Sequence, residues 1–388
     1  MRCVLIGPTY PFRGGISHYT TLLCQNLRQR HEVDFYTFTR QYPAFLFPGR
    51  TDRDPSELPL RADAIPLIDP VNPLTWLRAA RRIRDSRPEL LIMQWWVPYW
   101  APSFATIAFL ARRFAGTKIC FICHNVVPHE RRVVDRVLAK VTLSQGHTFI
   151  VHSQGDEARL RNLLPRAHIV RTVHPVYDFF RQEGLHDQES EAREALNLPD
   201  RKVLLFFGFV RPYKGLEYLL EAMPKVLAEI DAHLLIAGEF WTPESEYTRY
   251  IDDLGLSEHV TIVNRYIPNE EVAAFFSAAD VVVLPYTEAT QSGVAQIAYG
   301  LEKPVITTSV GGLAEVVKHG ETGLLVPPAD SEALAETVVS FFREELGEHL
   351  AANIHKERQR FSWDRLVDLI EVLGRLDPGS EEDWCQAF

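Results

Sequence analysis

Val203-Leu204-Leu205-Phe206-Phe207-Gly208 runs into Phe209-Val210-Arg211-Pro212-Tyr213-Lys214-Gly215, and then Leu216, Leu220, Met223, Leu227 and Ile230 follow at helical spacing. The apolar run closing on a glycine reads as a strand, and the 4-3-4-3 stripe reads as an amphipathic helix. Strand, short turn and helix in this order form the repeating unit of a parallel α/β sheet. The turn then falls at the carboxyl edge of the sheet, where two cations, a glycine and a helix N-terminus meet. Arg211 offers a planar fork and Lys214 a compact charge, a pairing that suits a diphosphate.

Working outward, further strands are expected near 233–237, 260–263, 281–284, 304–307 and 324–326. The first half shows the same alternation: a strand over 2–7, then Ile16, Tyr19, Leu23 and Leu27 on a helical stripe. Parallel sheets covered by helices follow from this pattern in both halves. The length of 388 residues, with 46% hydrophobic and 24% charged, excludes disorder and fibre and suits two domains. Their expected bounds are 1–178 and 179–362, with a hinge near His174-Pro175-Val176-Tyr177, a helix over 363–376 packing back on the first, and a fraying tail over 377–388. The acidic stretch 183–194 is expected to form a connecting loop and helix.

Residues 90–111 carry no charge, enough to span a bilayer by length alone. Pro98, Pro102, Gln94 and three tryptophans instead favour strand, loop and helix. Upstream, Trp76-Leu77-Arg78-Ala79-Ala80-Arg81-Arg82-Ile83-Arg84 reads either as a basic helix for an anionic membrane surface or as an ordinary solvated face. The net charge of −10 conceals an asymmetry: through residue 182 there are 25 Lys+Arg and 14 Asp+Glu, leaving 16 and 37 beyond it. The basic first half points to an anionic partner such as phospholipid or a lipid-linked phosphate. Nucleic acid is not expected, because no recognition motif accompanies the basic residues. Five cysteines do not make a disulfide framework, and Cys120-Phe121-Ile122-Cys123 lacks a second pair for zinc. No signal-peptide pattern precedes the first apolar run, so the cytoplasm is expected, with peripheral association at the inner face of the cell membrane.

Three more clusters sit at strand ends. Gly14-Gly15 opens the first long helix, where backbone N–H groups can approach an anion; this is not the dinucleotide fingerprint G-x-G-x-x-G. Pro285-Tyr286-Thr287-Glu288-Ala289-Thr290-Gln291-Ser292-Gly293 again leads into a helix, with Ser292 placed as its cap and Gly293 exposing its amides. Ser309-Val310-Gly311-Gly312-Leu313-Ala314-Glu315, closing with Gly323-Leu324-Leu325-Val326, is the last.

Asp280-Val281-Val282-Val283-Leu284-Pro285, Lys303-Pro304-Val305-Ile306 and Val310-Gly311-Gly312 through Gly323-Leu324-Leu325-Val326 resemble the donor-site stretch of the GT-B nucleotide-sugar transferases, glycosyltransferase family 4. The resemblance covers nearly the whole chain. It implies two Rossmann-like domains facing each other across a cleft, with the last helix, opened by Phe361-Ser362-Trp363, crossing back to the N-terminal domain. It also implies a retaining hexosyltransferase that needs no metal and no cofactor, with a UDP- or GDP-sugar as donor and a glycan or lipid-linked acceptor. Carried over by position, Arg211, Lys214, Gly14, Gly15, Ser292 and Gly293 hold the diphosphate. His124 and Glu288 approach the transferred sugar, and Arg265, Tyr266 and Gln296 serve the nucleoside.

Two positions depart from the family pattern. Gln296 stands where a second glutamate normally grips the ribose diol, and a neutral hydrogen bond there weakens donor affinity roughly tenfold. Phe209 stands where the family arginine follows the glycine. These departures leave open a non-catalytic nucleotide-sugar-binding partner subunit, and a further reading keeps the GT-B fold for a nucleotide-sugar epimerase.

Overall fold

The computed structural model describes residues 1–43, 49, 51–127, 133–181 and 189–376. Among these, the apolar runs build two separate sheets whose strands all pair in parallel. The first contains β1 (Arg2–Ile6), β2 (Glu32–Phe38), β3 (Ile65–Ile68), β4 (Leu90–Trp95), β5 (Lys118–Cys123), β6 (Thr148–Val151) and β7 (His168–Arg171), in the order β3-β2-β1-β4-β5-β6-β7. The second contains β8 (Lys202–Phe207), β9 (Ala232–Ala237), β10 (Val260–Val263), β11 (Val281–Leu284), β12 (Val305–Thr308) and β13 (Gly323–Val326), in the order β10-β9-β8-β11-β12-β13. Each sheet reverses its winding direction once, between β1 and β4 and between β8 and β11. Ligand sites of doubly wound sheets lie at such reversals, beyond the carboxyl ends of the strands.

Two compact units carry these sheets. One comprises Met1–Asp54, Pro59–Val173 and the chain from Ser362 onward; the other comprises Pro55–Leu58 and His174–Phe361. Of the acidic connector, Glu189–Ala195 is helical, while 182–188 and the expected tail 377–388 lie outside the described residues.

The uncharged stretch 90–111 resolves into β4, a 3-10 turn Pro98–Trp100 and the start of the helix Ala101–Ala115. Its aromatic content serves the core: Trp95 and Trp100 are fully buried, and the Phe38 and Trp100 rings lie 4.1 Å apart. No helix of the described residues is long and apolar enough to cross a membrane. In the second unit the helix Leu216–Leu227 ends before Ile230, and its buried stripe is Leu216, Leu219, Leu220, Met223 and Val226. Cys120 and Cys123 are buried in β5, three residues apart and so on opposite faces of the sheet. Burial pushes both thiols up, Cys120 to about 12, as expected for packed thiols rather than a redox pair.

The last described helix, Trp363–Arg375, belongs to the first unit, which is the crossing back that the resemblance implied. Ser362 caps it by accepting from Arg365 N–H. Trp363 packs edge-on to Tyr19 with ring centroids 5.2 Å apart, Arg30 pairs with Asp368 and Glu371, and Lys118 Nζ donates to Gly374 O at 2.8 Å.

Candidate functional site

At the winding reversal of the second sheet, β8 hands over to Gly208, whose φ of +95° is a left-handed conformation that favours glycine. A Cβ here would sit 2.9 Å from Lys214 Nζ and 3.3 Å from Val294 Cγ2. The strand end, the lysine and the first turn of the helix Gly293–Gly300 therefore occupy one place. Lys214 is only 6% exposed, and its ammonium stands 5.2 Å from the centre of the Tyr286 ring. Burial pushes its pKa down and Arg211 adds to that, with Tyr213 opposing; among the described residues no carboxylate pairs with it. A buried cation without a counter-charge is costly, and an anion arriving beside it recovers that cost.

Two backbone contacts pin this turn. Gly215, at φ +63°, opens the helix Leu216–Leu227, and a Cβ on it would meet Pro285 O at 2.1 Å. Thr287 N–H donates to Tyr213 O at 2.8 Å. Ser292 caps Gly293–Gly300 as its position suggested, its Oγ accepting from Ala295 N–H at 3.3 Å. Gly312 N–H donates to Thr290 O at 3.2 Å, which brings the fourth sequence cluster against the third. Glu288 is exposed in the same segment, just ahead of the positive end of that helix.

Gln296, one turn into the helix, is fully buried, and neither its Nε2 nor its Oε1 has a hydrogen-bond partner among the described residues. An unsatisfied buried amide costs about 1 to 3 kcal/mol. Arg211 and Arg265 sit differently from Lys214. Arg211 is exposed and lies over the Trp241 ring at 4.7 Å and the Tyr213 ring at 5.5 Å. Arg265 is paired through both terminal nitrogens with Glu271. Phe209, Trp241 and Tyr266, which follow β8, β9 and β10, form an aromatic surface, with Phe209 4.7 Å from Trp241 and 6.1 Å from Tyr266. Trp241 was missed in the sequence; the aromatic pair Phe240-Trp241 after an apolar run was its signal.

The first unit presents its own cluster at the reversal between β1 and β4. Gly14, at φ +103°, opens the helix Gly15–Arg28, which has no side-chain cap, and Gly15 is exposed. His124 follows β5, its N–H bonded to Trp95 O at 2.8 Å and its Nε2 2.6 Å from Gln94 Oε1. With the amide oxygen facing it, Nε2–H donates to Gln94 Oε1. The ring also packs edge-on to Tyr19 at 4.6 Å. Tyr19 Oη donates to His152 Nε2 at 2.9 Å, and His152 Nδ1–H donates to Thr172 O at 3.0 Å. Burial pushes His152 down to about 4, so it is neutral at pH 7 and acts as an oriented acceptor. In the sequence Gln94 served only as an argument against a membrane span and His152 was not singled out, although a glutamine inside an apolar strand was a legible signal for a polar site.

Comparison with known proteins bears on the family and the fold. Residues 14–175 match the model of the glycosyl transferase 4-like domain, and residues 201–344 match that of the glycosyl transferases group 1. The chain is 34% identical to D-inositol 3-phosphate glycosyltransferase 1 of Catenulispora acidiphila, over 53% of this chain and 51% of that protein. It is 28% identical to the alpha-D-kanosaminyltransferase of Streptomyces kanamyceticus, over 51% of each. The chain thus spans about half the length of the curated relatives it matches. Among solved structures, sucrose-phosphate synthase from Thermosynechococcus elongatus superposes with a TM-score of 0.71 at 22% identity, over 96% of this chain and 98% of that one. Anabaena HepE in complex with UDP-glucose gives 0.73 at 18% identity, over 97% and 100%. Two domain models matched in chain order, on two parallel sheets of GT-B type, show that the chain belongs to the group 1 glycosyltransferases.

Proposed function

We propose that this chain transfers a hexose from a UDP- or GDP-sugar to a glycan or lipid-linked acceptor in polysaccharide or glycolipid synthesis, with retention of anomeric configuration and without metal or cofactor. The donor binds the second unit and the acceptor the first. The observation that carries this reading is the buried Lys214, without a carboxylate partner among the described residues, beside Gly208 and the N-terminus of Gly293–Gly300. Such a place is built for a diphosphate, and the HepE complexes with UDP and UDP-glucose support a nucleotide sugar as its occupant.

As the sugar–phosphate bond breaks, negative charge grows on the leaving diphosphate, and Lys214 with the helix amides stabilises it there. Glu288 faces the developing positive charge on the sugar, and His124, oriented by Gln94, contacts a hydroxyl near the acceptor. Gln296 meets the ribose hydroxyls with both amide atoms, and the Phe209, Trp241 and Tyr266 surface stacks the base. Peripheral attachment to the inner face of the membrane brings the enzyme to a lipid-linked acceptor.

The test is a panel of UDP- and GDP-sugars read by thermal shift and by release of nucleoside diphosphate, with and without chelator. A donor at a hundred times its dissociation constant adds about 2.7 kcal/mol of stability. Slow release that accelerates with acceptor and survives chelator is the expected result. Binding without release would leave a non-catalytic partner subunit, and an altered free sugar without acceptor would indicate epimerisation; either overturns transfer.

A further inference from the structure

Three consecutive helices of the first unit, Pro73–Ser86, Ala101–Ala115 and Val133–Leu143, link β3 to β4, β4 to β5 and β5 to β6. All three crossovers advance the same way along the sheet, so right-handed connection puts the helices side by side on one face. They pack on one another in that order.

Their outward surfaces are unusual for a protein facing water. Val133, Val134, Val137 and Val141 are 53% to 81% exposed on an 11-residue helix. Val137 and Val141 are one turn apart, with Arg136 and Lys140 beside them at the same spacing. Valine is a weak helix former, so four exposed valines are a poor choice unless their surface is used. On the middle helix Phe109 and Phe114 are more than half exposed, next to Arg112 and Arg113. On the first, Leu74 and Leu77 stand out with Arg78, Arg81 and Arg84 on the same side. Together the three helices hold eight Lys and Arg against two acids, Asp85 and Asp135. Asp85 already pairs with Arg81 and Arg84.

Exposed apolar side chains interspersed with cations at the same level match the boundary of an anionic bilayer, where the chains enter the acyl edge and the cations meet headgroup phosphates. We propose that the outer face of these three helices docks on an anionic lipid bilayer. The docking lies in the plane of the membrane, because none of the three is long and apolar enough to cross it. This surface gives the membrane partner suggested above a definite location, and it does not depend on sugar transfer.

The experiment is sedimentation of the full chain with vesicles of phosphatidylcholine alone or of equimolar phosphatidylglycerol and phosphatidylcholine, at low and high salt. Binding to the anionic vesicles that weakens with salt is expected, with little binding to the neutral ones. Val137→Ser/Val141→Ser should lower partitioning about tenfold or more through lost apolar burial. Arg81→Gln/Arg84→Gln should lower it roughly 25-fold, about fivefold per cation. Both pairs are exposed, so circular dichroism and the melting temperature should stay at the wild-type values, and UDP-induced stabilisation should persist. A loss of UDP response in the wild type would instead count against the donor-site reading. Equal binding to neutral and anionic vesicles, no binding to either, or variants that sediment like wild type would overturn the proposal. So would a lipid-free dimer that Val137→Ser/Val141→Ser converts to monomer, since the face would then cover a second copy of the chain.

Discussion

Replacing Lys214 with methionine separates function from stability in a way that follows from its surroundings. Burial of the ammonium, with no carboxylate partner among the described residues, holds it at a pKa below the ordinary lysine range in the folded protein. Over the window between that depressed value and the ordinary one, the unfolded chain carries the extra proton. Stability therefore rises with pH through this window, and the cost of the buried charge is felt in full below it. A bound diphosphate acts in the opposite sense: it favours the charged form, so donor binding takes up a proton and weakens as pH climbs through the depressed value. Lys214→Met keeps the packing stem, loses about 1 kcal/mol of cation–π attraction to Tyr286, and removes the desolvation cost. The variant should melt at or above the wild-type temperature, at about 2 to 4 °C per kcal/mol for a domain of this size. Its melting should lose both the alkaline rise and the stabilisation by UDP. Turnover should fall a hundredfold to a thousandfold, the effect of about 3 to 4 kcal/mol removed from a preorganised anion site. Thermal unfolding across neutral to alkaline pH, with and without UDP, and nucleoside diphosphate release read these effects. A folded variant that turns over within about tenfold of wild type would refute the reasoning.

Gln296→Glu should raise donor affinity about tenfold by calorimetry, because a carboxylate accepts from ribose hydroxyls more strongly than an amide. The free variant should lose stability as pH rises, since burial raises the folded-state pKa of the new acid; unchanged affinity would remove Gln296 from the nucleoside site. Gly208→Ala places a methyl 2.9 Å from Lys214 Nζ at φ +95°, so it should destabilise by about 1 to 2 kcal/mol and abolish the thermal response to UDP. Full retention of that response would show that this turn does not touch the ligand. Cys3, Cys24, Cys120 and Cys123 are buried, with burial pushing Cys3 to about 12 and Cys24 to about 11. These four should resist alkylation at pH 8 until denaturant is added, and mass spectrometry showing native labelling of any of them at a free-thiol rate would contradict their packing.

The two sheets were legible because the strand signal is local. An apolar run such as 203–207, closed by a glycine and followed by a 3.6-residue stripe, specifies strand, turn and helix without help from the rest of the chain. Helix caps were legible for the same reason: Ser292 and Ser362 stand directly before the helices they close. Edge strand β3, Ile-Pro-Leu-Ile, carries no such pattern and becomes a strand only by pairing with β2. The helix Asn269–Ala278 has no local cap, and its first N–H is taken by Ser56 Oγ, 213 residues away in sequence.

The sequence determined that Lys214 and Arg211 stand at the carboxyl end of a strand, while Arg265, His124 and Gln296 became candidates through the family resemblance. Tertiary structure alone decided what each of them is. Among the described residues Lys214 is buried without a carboxylate partner, Arg211 lies on Trp241, Arg265 is held by Glu271, Gln296 is buried with neither amide atom bonded, and Gln94 Oε1 stands 2.6 Å from His124 Nε2. The reason is physical: the spacing of apolar residues along the chain fixes periodicity, whereas charge, solvation and hydrogen-bond state depend on neighbours that folding brings from elsewhere.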